Sequence, residues 1–292
     1  MILVTGANGF VGNNLVKELL NQGYKVRCFV RKRNEFFDNL NVEIVYGDIR
    51  NKNDVENAVK GVEKVVHLAA VLGSSNKELN FDVNAYGTNN IVESCTRNNI
   101  QRLIYVSSVA ASRKERSHYG ESKLFGESFV KGSILNYVIL RPALIYGDGG
   151  KGFNKTINYI KKLPLIPIIG RGDVIRRPVY VWDVVNAIVN ALENNYCIGK
   201  TYDIGGNKVT FDELINKISN KLEIKKSKVY LPVWGCFLLA KAFSLFSENP
   251  KLSVHEVIGL KESIDMDISK AREDLNFNPI SFDDGLDRVM GF

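Results

Sequence analysis

The stretch Thr5-Gly6-Ala7-Asn8-Gly9-Phe10-Val11-Gly12 follows the apolar run Ile2–Thr5 and opens a segment with helical periodicity. Gly6 is expected to allow a tight turn, and Gly9 to let a ligand approach the backbone closely. Gly12 is expected to let the helix pack closely on the strand. Unpaired N–H groups and the helix dipole at such a helix start favour an anion. The stretch therefore predicts a strand, a turn and a helix that together bind a phosphate group.

The alternation of strand and helix continues along the first two thirds of the chain. Apolar, β-branched runs predict strands at Ile2–Thr5, Lys25–Val30, Val42–Tyr46, Lys64–Leu68, Leu103–Ser107 and Tyr137–Leu140. Helical periodicity between them predicts helices at Val11–Leu20, Asp54–Val59, Val83–Thr96 and Lys123–Val130. Strands that are apolar throughout are typical of a parallel sheet covered by helices on both faces. The pattern predicts an α/β fold with a doubly wound parallel sheet, the Rossmann architecture.

The pattern changes after Arg141-Pro142, where glycines and prolines interrupt it. Val179-Tyr-Val181, followed by Trp182–Leu192, predicts one more strand and helix that return to the sheet. Further helices are predicted at Phe211–Leu222, Val233–Phe246 and Phe282–Val289. We expect a dinucleotide-binding domain of residues 1–150 and about 179–204, and a smaller, mixed C-terminal substrate-binding domain of about 151–178 and 205–292.

The composition excludes several classes of protein. The 292 residues carry 39 Lys and Arg against 32 Asp and Glu, a net charge of +7, and 45% of them are hydrophobic. The basic residues do not interleave with aromatics along one stripe, so no nucleic-acid partner is expected. The four cysteines are far apart, which predicts no metal site and no disulfides but a reducing, cytoplasmic compartment. No apolar run is long enough for a transmembrane segment.

The end of the second predicted strand bears on the choice of dinucleotide. Folds that bind NAD usually place a carboxylate there to hold the ribose 2′-hydroxyl. This strand instead ends in Arg31-Lys32-Arg33, and no acidic residue precedes Glu35. A guanidinium binds a 2′-phosphate, which a carboxylate would repel. We therefore expect Arg31 and Arg33 to favour NADP, with NAD as the alternative.

Tyr119-Gly-Glu-Ser-Lys123 places a phenol and an ammonium four residues apart on one face of a helix. Upstream, Ser107 and Ser108 lie at the carboxyl end of a predicted strand, where ligands bind in open α/β sheets. A free phenol has a pKa of about 10, and the Lys123 ammonium together with a positively charged nicotinamide is expected to lower the pKa of Tyr119 towards neutrality. The arrangement predicts proton transfer by Tyr119, with Ser108 orienting the substrate oxygen.

These motifs, in this order, resemble the short-chain dehydrogenase/reductase superfamily, in its extended or atypical branch. Other matching elements are Gly47-Asp48, His67-Leu-Ala-Ala70, Asn84-x-x-Gly87-Thr88, Arg141-Pro142, Val181-Trp-Asp183-Val and Tyr202-Asp-Ile-Gly-Gly206. The resemblance implies NAD(P)-dependent hydride transfer with Ser108, Tyr119 and Lys123 as the catalytic triad. Besides Arg31 and Arg33, it implies cofactor contacts from Gly6, Asn8, Gly9, Phe10, Val11, Gly12, Asp48, Ile49, Leu68, Ala69, Ala70, Tyr119 and Lys123, with Asp48 at the adenine.

Details of the resemblance favour an oxidoreductase of a secondary alcohol or ketone, as in the dihydroflavonol reductase-like group. Where sugar 4,6-dehydratases carry an acidic pair, this chain has Val109-Ala-Ala-Ser112, and only the ten residues 109–118 separate Ser108 from Tyr119. A UDP-hexose 4-epimerase with bound NAD stays open as the alternative, because it uses the same transient oxidation. A non-catalytic dinucleotide sensor or scaffold is a third hypothesis.

The substrate is expected to be a small molecule, either a nucleotide-sugar or a lipid-like alcohol. Ser107, Arg176 and Arg177 are candidate contacts, the arginines for a phosphate or carboxylate, with a solvated basic loop as the alternative. Leu231–Phe246 follows several lysines. We expect it to be a core helix of the small domain, and an interfacial helix for a lipid-like substrate is the alternative. The resemblance also suggests a homodimer through the helices Val83–Thr96 and Lys123–Val130.

Overall fold

The computed structural model describes residues 1–246 and 254–290. Its strands are β1 (Ile2–Thr5), β2 (Val26–Val30), β3 (Val42–Tyr46), β4 (Lys64–His67), β5 (Arg102–Val106), β6 (Tyr137–Pro142), β7 (Ile145–Tyr146), β8 (Ile166–Ile169), β9 (Ile175–Arg176), β10 (Val179–Tyr180), β11 (Thr201–Ile204), β12 (Val209–Thr210) and β13 (Lys228–Leu231). Its α-helices are α1 (Phe10–Asn21), α2 (Lys52–Val59), α3 (Lys77–Phe81), α4 (Gly87–Arg97), α5 (His118–Lys131), α6 (Lys151–Lys162), α7 (Val181–Glu193), α8 (Phe211–Lys221), α9 (Val233–Phe246), α10 (Val254–Lys261), α11 (Ser269–Leu275) and α12 (Phe282–Met290). A π-helix, Asp82–Tyr86, leads into α4, and a 3-10 turn, Val109–Ala111, precedes α5.

Seven parallel strands form the central sheet, in the order β11-β6-β5-β4-β1-β2-β3. The predicted doubly wound architecture is therefore confirmed. The chain runs outward from β1 to β3 and then crosses to β4 on the other side of β1. This reversal opens a crevice at the carboxyl ends of β1 and β4, which is where such sheets bind ligands.

One predicted strand does not join the central sheet. Val179–Tyr180 pairs with β7 in a separate two-stranded sheet, so the prediction that it returns to the large sheet was wrong. The edge position beside β6 belongs to β11, which the sequence analysis did not predict. In β11, Tyr202 and Ile204 are buried, whereas Thr201 and Asp203 are only half-buried. A search for runs that are apolar throughout misses a strand in which polar and apolar residues alternate.

The chain divides into two compact units. The first unit consists of Met1–Pro142, Val181–Ile204 and Ile268–Asn278, and the second of Ala143–Tyr180, Gly205–Asp267 and Pro279–Phe292. α11 belongs to the first unit, where Tyr202 Oη donates a hydrogen bond of 2.6 Å to the Asp274 carboxylate. Such tertiary contacts, which join distant parts of the chain, set the boundaries between the units.

The core of the first unit lies beneath the crevice. Leu3, Val65 and Leu103, from the adjacent strands β1, β4 and β5, pack with Ile91 and Cys95 of α4, and all five are fully buried. Burying an aliphatic side chain of this size stabilises the fold by about 1.5–3 kcal/mol. The core therefore holds the strand ends that carry the site in fixed positions.

The second unit contains small strand pairs and helices around an aromatic cluster. The Tyr146 ring lies 5.4 Å from the Phe153 ring and 5.1 Å from the Phe282 ring, measured between centroids. β8 and β13 form a parallel pair next to α9. α9 has the predicted bounds, Val233–Phe246, but it is not a core helix, because its large side chains, from Trp234 to Phe243, are mostly exposed. Among the described residues, no helix is both long and apolar enough to cross a bilayer.

Candidate active site

The glycine-rich turn folds back against the strand end of β4. Gly6 has a φ of +67°, which lies in the left-handed region, and a Cβ atom there would lie 2.8 Å from the backbone nitrogen of Ala69. A Cβ atom on Gly12 would lie 2.3 Å from the carbonyl oxygen of Gly6. Both distances are shorter than any real contact of a Cβ atom, so side chains at these positions would force the turn and α1 apart.

α1 begins at Phe10 without a side-chain cap. Gly9 is the N-cap residue and has no side chain to accept a hydrogen bond. By contrast, α2 and α5 are capped by the side chains of Asn51 and Ser117. The first-turn N–H groups of α1 are therefore left for a ligand, and Gly9 is exposed. An uncapped, open helix start is suited to a pyrophosphate.

A buried histidine links the turn to the neighbouring strand ends. His67 Nδ1 lies 2.7 Å from Thr5 Oγ1, and His67 Nε2 lies 3.0 Å from Thr88 Oγ1. Because the Thr88 hydroxyl donates to the Asn84 carbonyl oxygen, Nε2 must donate to Thr88 and Nδ1 must accept from Thr5. Burial lowers the pKa of His67 to about 3, so the ring is neutral. This histidine is part of the core and holds β1 and β4 together.

Lys123 of α5 lies at the carboxyl end of β5 and is 1% exposed. Its Nζ donates a hydrogen bond of 2.9 Å to the Val106 carbonyl oxygen and lies 4.2 Å from the centroid of the Tyr105 ring. Burial lowers the pKa of Lys123 to about 7, while the charge of Glu127 acts in the opposite direction. The amine therefore gains and loses a proton near neutral pH.

The Ser108 side chain lies beside Tyr119 and acts to lower the pKa of its phenol. Ser108 Oγ accepts the Ala110 amide hydrogen at 3.1 Å, which leaves the hydroxyl hydrogen of Ser108 for the phenol oxygen. Burial raises the pKa of Tyr119 to about 12, and the neighbouring Ser108 opposes this rise. The expected lowering of the Tyr119 pKa by Lys123 is therefore not found. Burial dominates, and it also removes part of the positive charge of Lys123 at neutral pH.

Gly120 explains how so short a connection brings the phenol to the serine. A Cβ atom at position 120 would lie 2.5 Å from the Ala110 carbonyl oxygen. The absence of that atom lets the start of α5 press against the 3-10 turn that follows Ser108. Close approach of the two backbones thus lets the short segment of residues 109–118 position Tyr119.

A buried carboxylate lies one turn beyond Lys123 on α5. Arg141 Nε and Nη2 donate to Glu127 at 2.7 and 2.6 Å, and Ser107 Oγ donates at 2.7 Å. Burial raises the pKa of Glu127, but the hydrogen bonds from Arg141 and Ser107 outweigh it and hold the pKa below its usual value. The Ser107 hydroxyl is therefore bound to Glu127, inside the protein.

Asn84 is a site residue that the sequence analysis did not assign. Its Nδ2 donates to Ser122 Oγ at 3.0 Å and to the Val71 carbonyl at 3.2 Å, and its Oδ1 accepts the Val71 amide at 2.8 Å. Asn84 thus positions α5, next to Lys123, against the segment that follows β4. The sequence shows Asn84 within the motif Asn84-x-x-Gly87-Thr88, but its hydrogen-bond partners are known only from the structure. It lies in the π-helix, a distortion that is frequent at functional sites.

The basic residues after β2 differ in their surroundings. Arg33 pairs with Asp38 at 2.9 Å. Arg31 and Lys32 are exposed, and neither forms a hydrogen bond or ion pair with any residue that the structure describes. The charge available to an anionic ligand is thus mainly that of Arg31 and Lys32.

The predicted adenine-side residues follow β3 and β4. Arg50 Nε and Nη2 donate to the Asp48 carboxylate at 3.1 and 2.7 Å, and these bonds help to hold the pKa of Asp48 below its usual value. Ile49 is buried, and a Cβ atom on Gly87 would lie 2.8 Å from its Cδ1 atom. Leu68, Ala69 and Ala70 are half-buried after β4, beside the turn at Gly6. Asp48 and Ile49 therefore sit in an ordered loop of the first unit.

The two candidate arginines of the second unit bind protein atoms. Arg176 is buried, and its Nη1 donates to the carbonyl oxygens of Ile175 and Glu262 at 3.0 and 2.8 Å. Arg177 Nη1 donates to the Gly206 carbonyl oxygen at 3.1 Å. The structure therefore brings together Ser108, Tyr119 and Lys123, whereas Ser107, Arg176 and Arg177 bind other parts of the protein.

The family follows from comparison with known proteins. The sequence model of the NAD dependent epimerase/dehydratase family matches residues 2–205. The chain is 30% identical to NADH dehydrogenase [ubiquinone] 1 alpha subcomplex subunit 9 of Dictyostelium discoideum over 261 residues. The alignment covers 85% of this chain and 71% of that protein. The chain belongs to the NAD dependent epimerase/dehydratase family, which lies within the superfamily that the motifs resemble, and it is an enzyme of this family.

Two further relatives differ in the reactions that they are named for. The mouse sterol-4-alpha-carboxylate 3-dehydrogenase is 29% identical in an alignment over 271 residues, which covers 83% of this chain and 74% of that protein. UDP-glucose 4-epimerase of Vibrio cholerae is 28% identical in an alignment over 306 residues, gaps included, which covers 95% of this chain and 90% of that protein. Among solved structures, Bacillus cereus UDP-glucuronic acid 4-epimerase in complex with UDP-glucuronic acid and NAD has a TM-score of 0.79 at 24% identity, covering 99% of this chain and 98% of that one. The solved epimerase thus shares the fold of this chain.

Proposed function

We propose that the protein is an NADP-dependent oxidoreductase that interconverts a secondary alcohol and a ketone. The observation that carries the proposal is the contact of Ser108 with Tyr119 at the end of β5, with Lys123 buried on the next turn of α5. The glycine turn and the uncapped start of α1 fit a dinucleotide, because a Cβ atom at Gly6 or Gly12 would fill the space that the turn needs.

In this proposal each side chain has a distinct role in proton transfer. The bound nicotinamide supplies the hydride donor or acceptor. Ser108 holds the substrate oxygen by a hydrogen bond, and Tyr119 exchanges a proton with that oxygen. During oxidation, the alcohol proton moves to the deprotonated phenol of Tyr119 as the hydride leaves the carbinol carbon, and reduction reverses both transfers. Protonated Lys123 would favour the phenolate by its charge. In the protein without cofactor, burial sets the raised pKa of Tyr119.

The preference for NADP rests on the end of β2. Arg31 and Lys32 are exposed positive charges, and the carboxylate that usually selects NAD is absent from residues 31–34. A guanidinium and an ammonium there would bind a 2′-phosphate by charge-assisted hydrogen bonds. Arg33 is the weaker candidate, because it is paired with Asp38. NAD remains the cofactor named for the family as a whole.

For the substrate, we favour a lipid-like alcohol or ketone. Similarity to the sterol dehydrogenase supports an oxidoreductase of such compounds, and residues 109–112 lack the acidic pair of sugar dehydratases. Ser107 and Arg176 are left out of the substrate contacts, because Glu127 and backbone carbonyl oxygens hold them. Arg177 is left out as well, because it donates to the Gly206 carbonyl oxygen and lies 3.9 Å from the Asp265 carboxylate.

A nucleotide-sugar epimerase is the second candidate. The relation to the Vibrio cholerae UDP-glucose 4-epimerase, which extends over 95% of this chain, favours it. The two candidate reactions differ in whether the cofactor is reduced at the end of the reaction. An epimerase returns the hydride to the same substrate, so it produces no net reduced cofactor, whereas a dehydrogenase accumulates one reduced nicotinamide for each alcohol oxidised.

The experiment incubates the purified chain with NADP⁺ and a panel of sterol, long-chain and short-chain secondary alcohols. We expect reduced nicotinamide to accumulate with a lipid-like member of the panel and not in the Tyr119→Phe variant. The same protein is incubated with NAD⁺ and UDP-glucose while the sugar is followed by NMR. Conversion to UDP-galactose without accumulation of NADH, together with no reaction in the alcohol panel, would overturn the proposal.

We further propose that the chain forms a homodimer in a reducing compartment. A groove of about 510 Å³ lies between α4 and α5 and is lined in part by Val92, Phe129 and Ile134, with Ile134 strongly exposed. The four cysteines are all buried, free thiols, which supports the reducing compartment. Light scattering of the wild type and of Ile134→Glu tests the dimer, which the substitution should dissociate. A wild-type monomer would contradict it.

A further inference from the structure

α9 carries its large apolar side chains on the outside. Trp234, Leu238, Leu239 and Phe243 are 69, 60, 52 and 45% exposed. Trp234 and Leu238 are four residues apart, as are Leu239 and Phe243, so the four side chains together cover about half of the circumference of the helix. The opposite side carries the small residues Cys236 and Ala240, which are buried with Val257 of α10. An ordinary surface helix has the reverse arrangement, with its large apolar side chains towards the core.

The strand β13, which precedes α9, also carries exposed apolar side chains, one on each of its faces. In β13, Val229 and Tyr230 are also exposed, and β13 leads into α9 through Leu231 and Pro232. Val229 lies beside Pro167 of β8, which is exposed as well. We call the exposed large apolar side chains of α9, which are Trp234, Leu238, Leu239 and Phe243, the α9 surface. Contiguous exposed apolar surfaces of this kind mark contact with a partner or with a membrane.

Lysines lie in two groups, one at α9 and α10 and the other at the far end of β13. Lys241 is exposed on α9 itself, and Lys261, at the end of α10, lies 5.6 Å from the centroid of the Phe237 ring of α9. At the other end of β13, Lys226 donates hydrogen bonds to the carbonyl oxygens of Ile160 and Lys161, so the segment of Lys225 and Lys226 lies against the end of α6. The strand β13, which separates these two groups of lysines, spans roughly 13 Å.

We propose that the α9 surface docks the protein onto an anionic lipid bilayer, with the apolar side chains in the interfacial region and the lysines on the headgroups. Apolar side chains flanked by cations match an anionic membrane surface, which offers an apolar interior beneath negative charges. A second copy of this chain would place the same lysines against one another, which like-charge repulsion opposes. The inference goes beyond the proposed function and does not depend on the chemistry at Tyr119.

The full chain is tested on vesicles of phosphatidylcholine with and without phosphatidylserine. The chain has two tryptophans, and Trp182→Phe leaves Trp234 as the sole reporter. We expect the emission of Trp234 to shift to shorter wavelength with anionic vesicles and to be quenched by brominated lipid. Leu238→Gln combined with Leu239→Gln should lower the vesicle-bound fraction at least about ten-fold. Tyr196→Gln, a change at a strongly exposed aromatic residue of the other unit, should not lower it.

Lys225→Gln combined with Lys261→Gln should weaken binding to anionic vesicles only. Thermal stabilisation by NADPH should be the same in the Leu238/Leu239 variant as in the wild type, which separates loss of docking from loss of the fold. Absence of both the emission shift and sedimentation with anionic vesicles would overturn the proposal. It would also be overturned if the wild type self-associated through α9 and the glutamine variant were monomeric, with no vesicle binding in either.

Discussion

The Nζ atom of Lys123 lies 2.9 Å from the carbonyl oxygen of Val106, the last residue of β5. Ser107 and Ser108 follow Val106 directly, so this hydrogen bond ties the lysine of α5 to the strand end that delivers the serine of the site. Burial at this position lowers the pKa of Lys123 to about 7. The same contact therefore fixes the geometry of the site and makes the charge of the lysine dependent on pH.

The first prediction concerns stability against pH. The unfolded lysine has a pKa of 10.5 and the folded one about 7, so between these values the unfolded chain binds the additional proton. The free energy of unfolding contributed by Lys123 therefore rises with pH, by up to about 1.4 kcal/mol for each unit. Urea unfolding of the wild type and of Lys123→Met between about pH 7.5 and 9.5 measures this rise as a growing difference in favour of the wild type. A difference that does not change with pH would contradict the lowered pKa.

The second prediction separates chemistry from binding. Tyr119→Phe removes only the hydroxyl that exchanges the proton, so turnover should fall by a factor of about 10²–10⁴ while cofactor affinity stays unchanged. Turnover with the alcohol identified in the panel and NADPH titration measure the two quantities. Tyr86→Phe, at an exposed tyrosine, is the matched control and should have wild-type turnover. Unchanged turnover in Tyr119→Phe would refute the mechanism.

The third prediction tests the close approach of α5 to the turn after Ser108. In Gly120→Ala, the new Cβ atom would lie 2.5 Å from the Ala110 carbonyl oxygen, so the two backbones must move apart. We expect a loss of about 1–3 kcal/mol in the free energy of unfolding and at least a ten-fold fall in turnover. Gly132→Ala, just beyond the end of α5, meets its nearest atom at 3.2 Å and serves as the control. Equal effects of the two substitutions would argue against a role of Gly120 in positioning Tyr119.

The fourth prediction concerns cofactor selection. Removing Arg31 and Lys32 together, as Arg31→Ala and Lys32→Ala, should weaken NADPH binding about 10–100-fold and leave NADH binding unchanged, because only NADPH carries the 2′-phosphate. Arg33→Ala should have a smaller effect, because Arg33 is already paired with Asp38. Titration calorimetry at two salt concentrations measures the effect. An equal loss for both cofactors would mean that these residues do not contact the 2′-phosphate.

The features that could be predicted from sequence are those set by local geometry. The glycine turn depends on φ at Gly6 and on the clash that any side chain at position 12 would cause, and both follow from spacing along the chain. Tyr119 and Lys123 share a helix face because they are four residues apart. The bounds of α9 could also be predicted, since an apolar run gives its length.

The features that could not be predicted depend on tertiary packing. The pairing of β10 with β7, and the place of β11 at the sheet edge, join residues that are far apart in sequence. The raised pKa of Tyr119 and the lowered pKa of Lys123 arise from burial, which no spacing rule gives. The prediction that α9 is a core helix was wrong for the same reason, because an apolar run does not show which face of a helix the fold covers.

The thermal stability of the wild-type chain with NADPH, with NADH, and with NADH plus UDP-glucose distinguishes an NADP-dependent oxidoreductase from an epimerase. We expect NADPH to raise the melting temperature more than NADH does and UDP-glucose to add nothing. Stabilisation by NADH and not by NADPH, increased further by UDP-glucose, would rule out the proposed oxidoreductase and favour the epimerase.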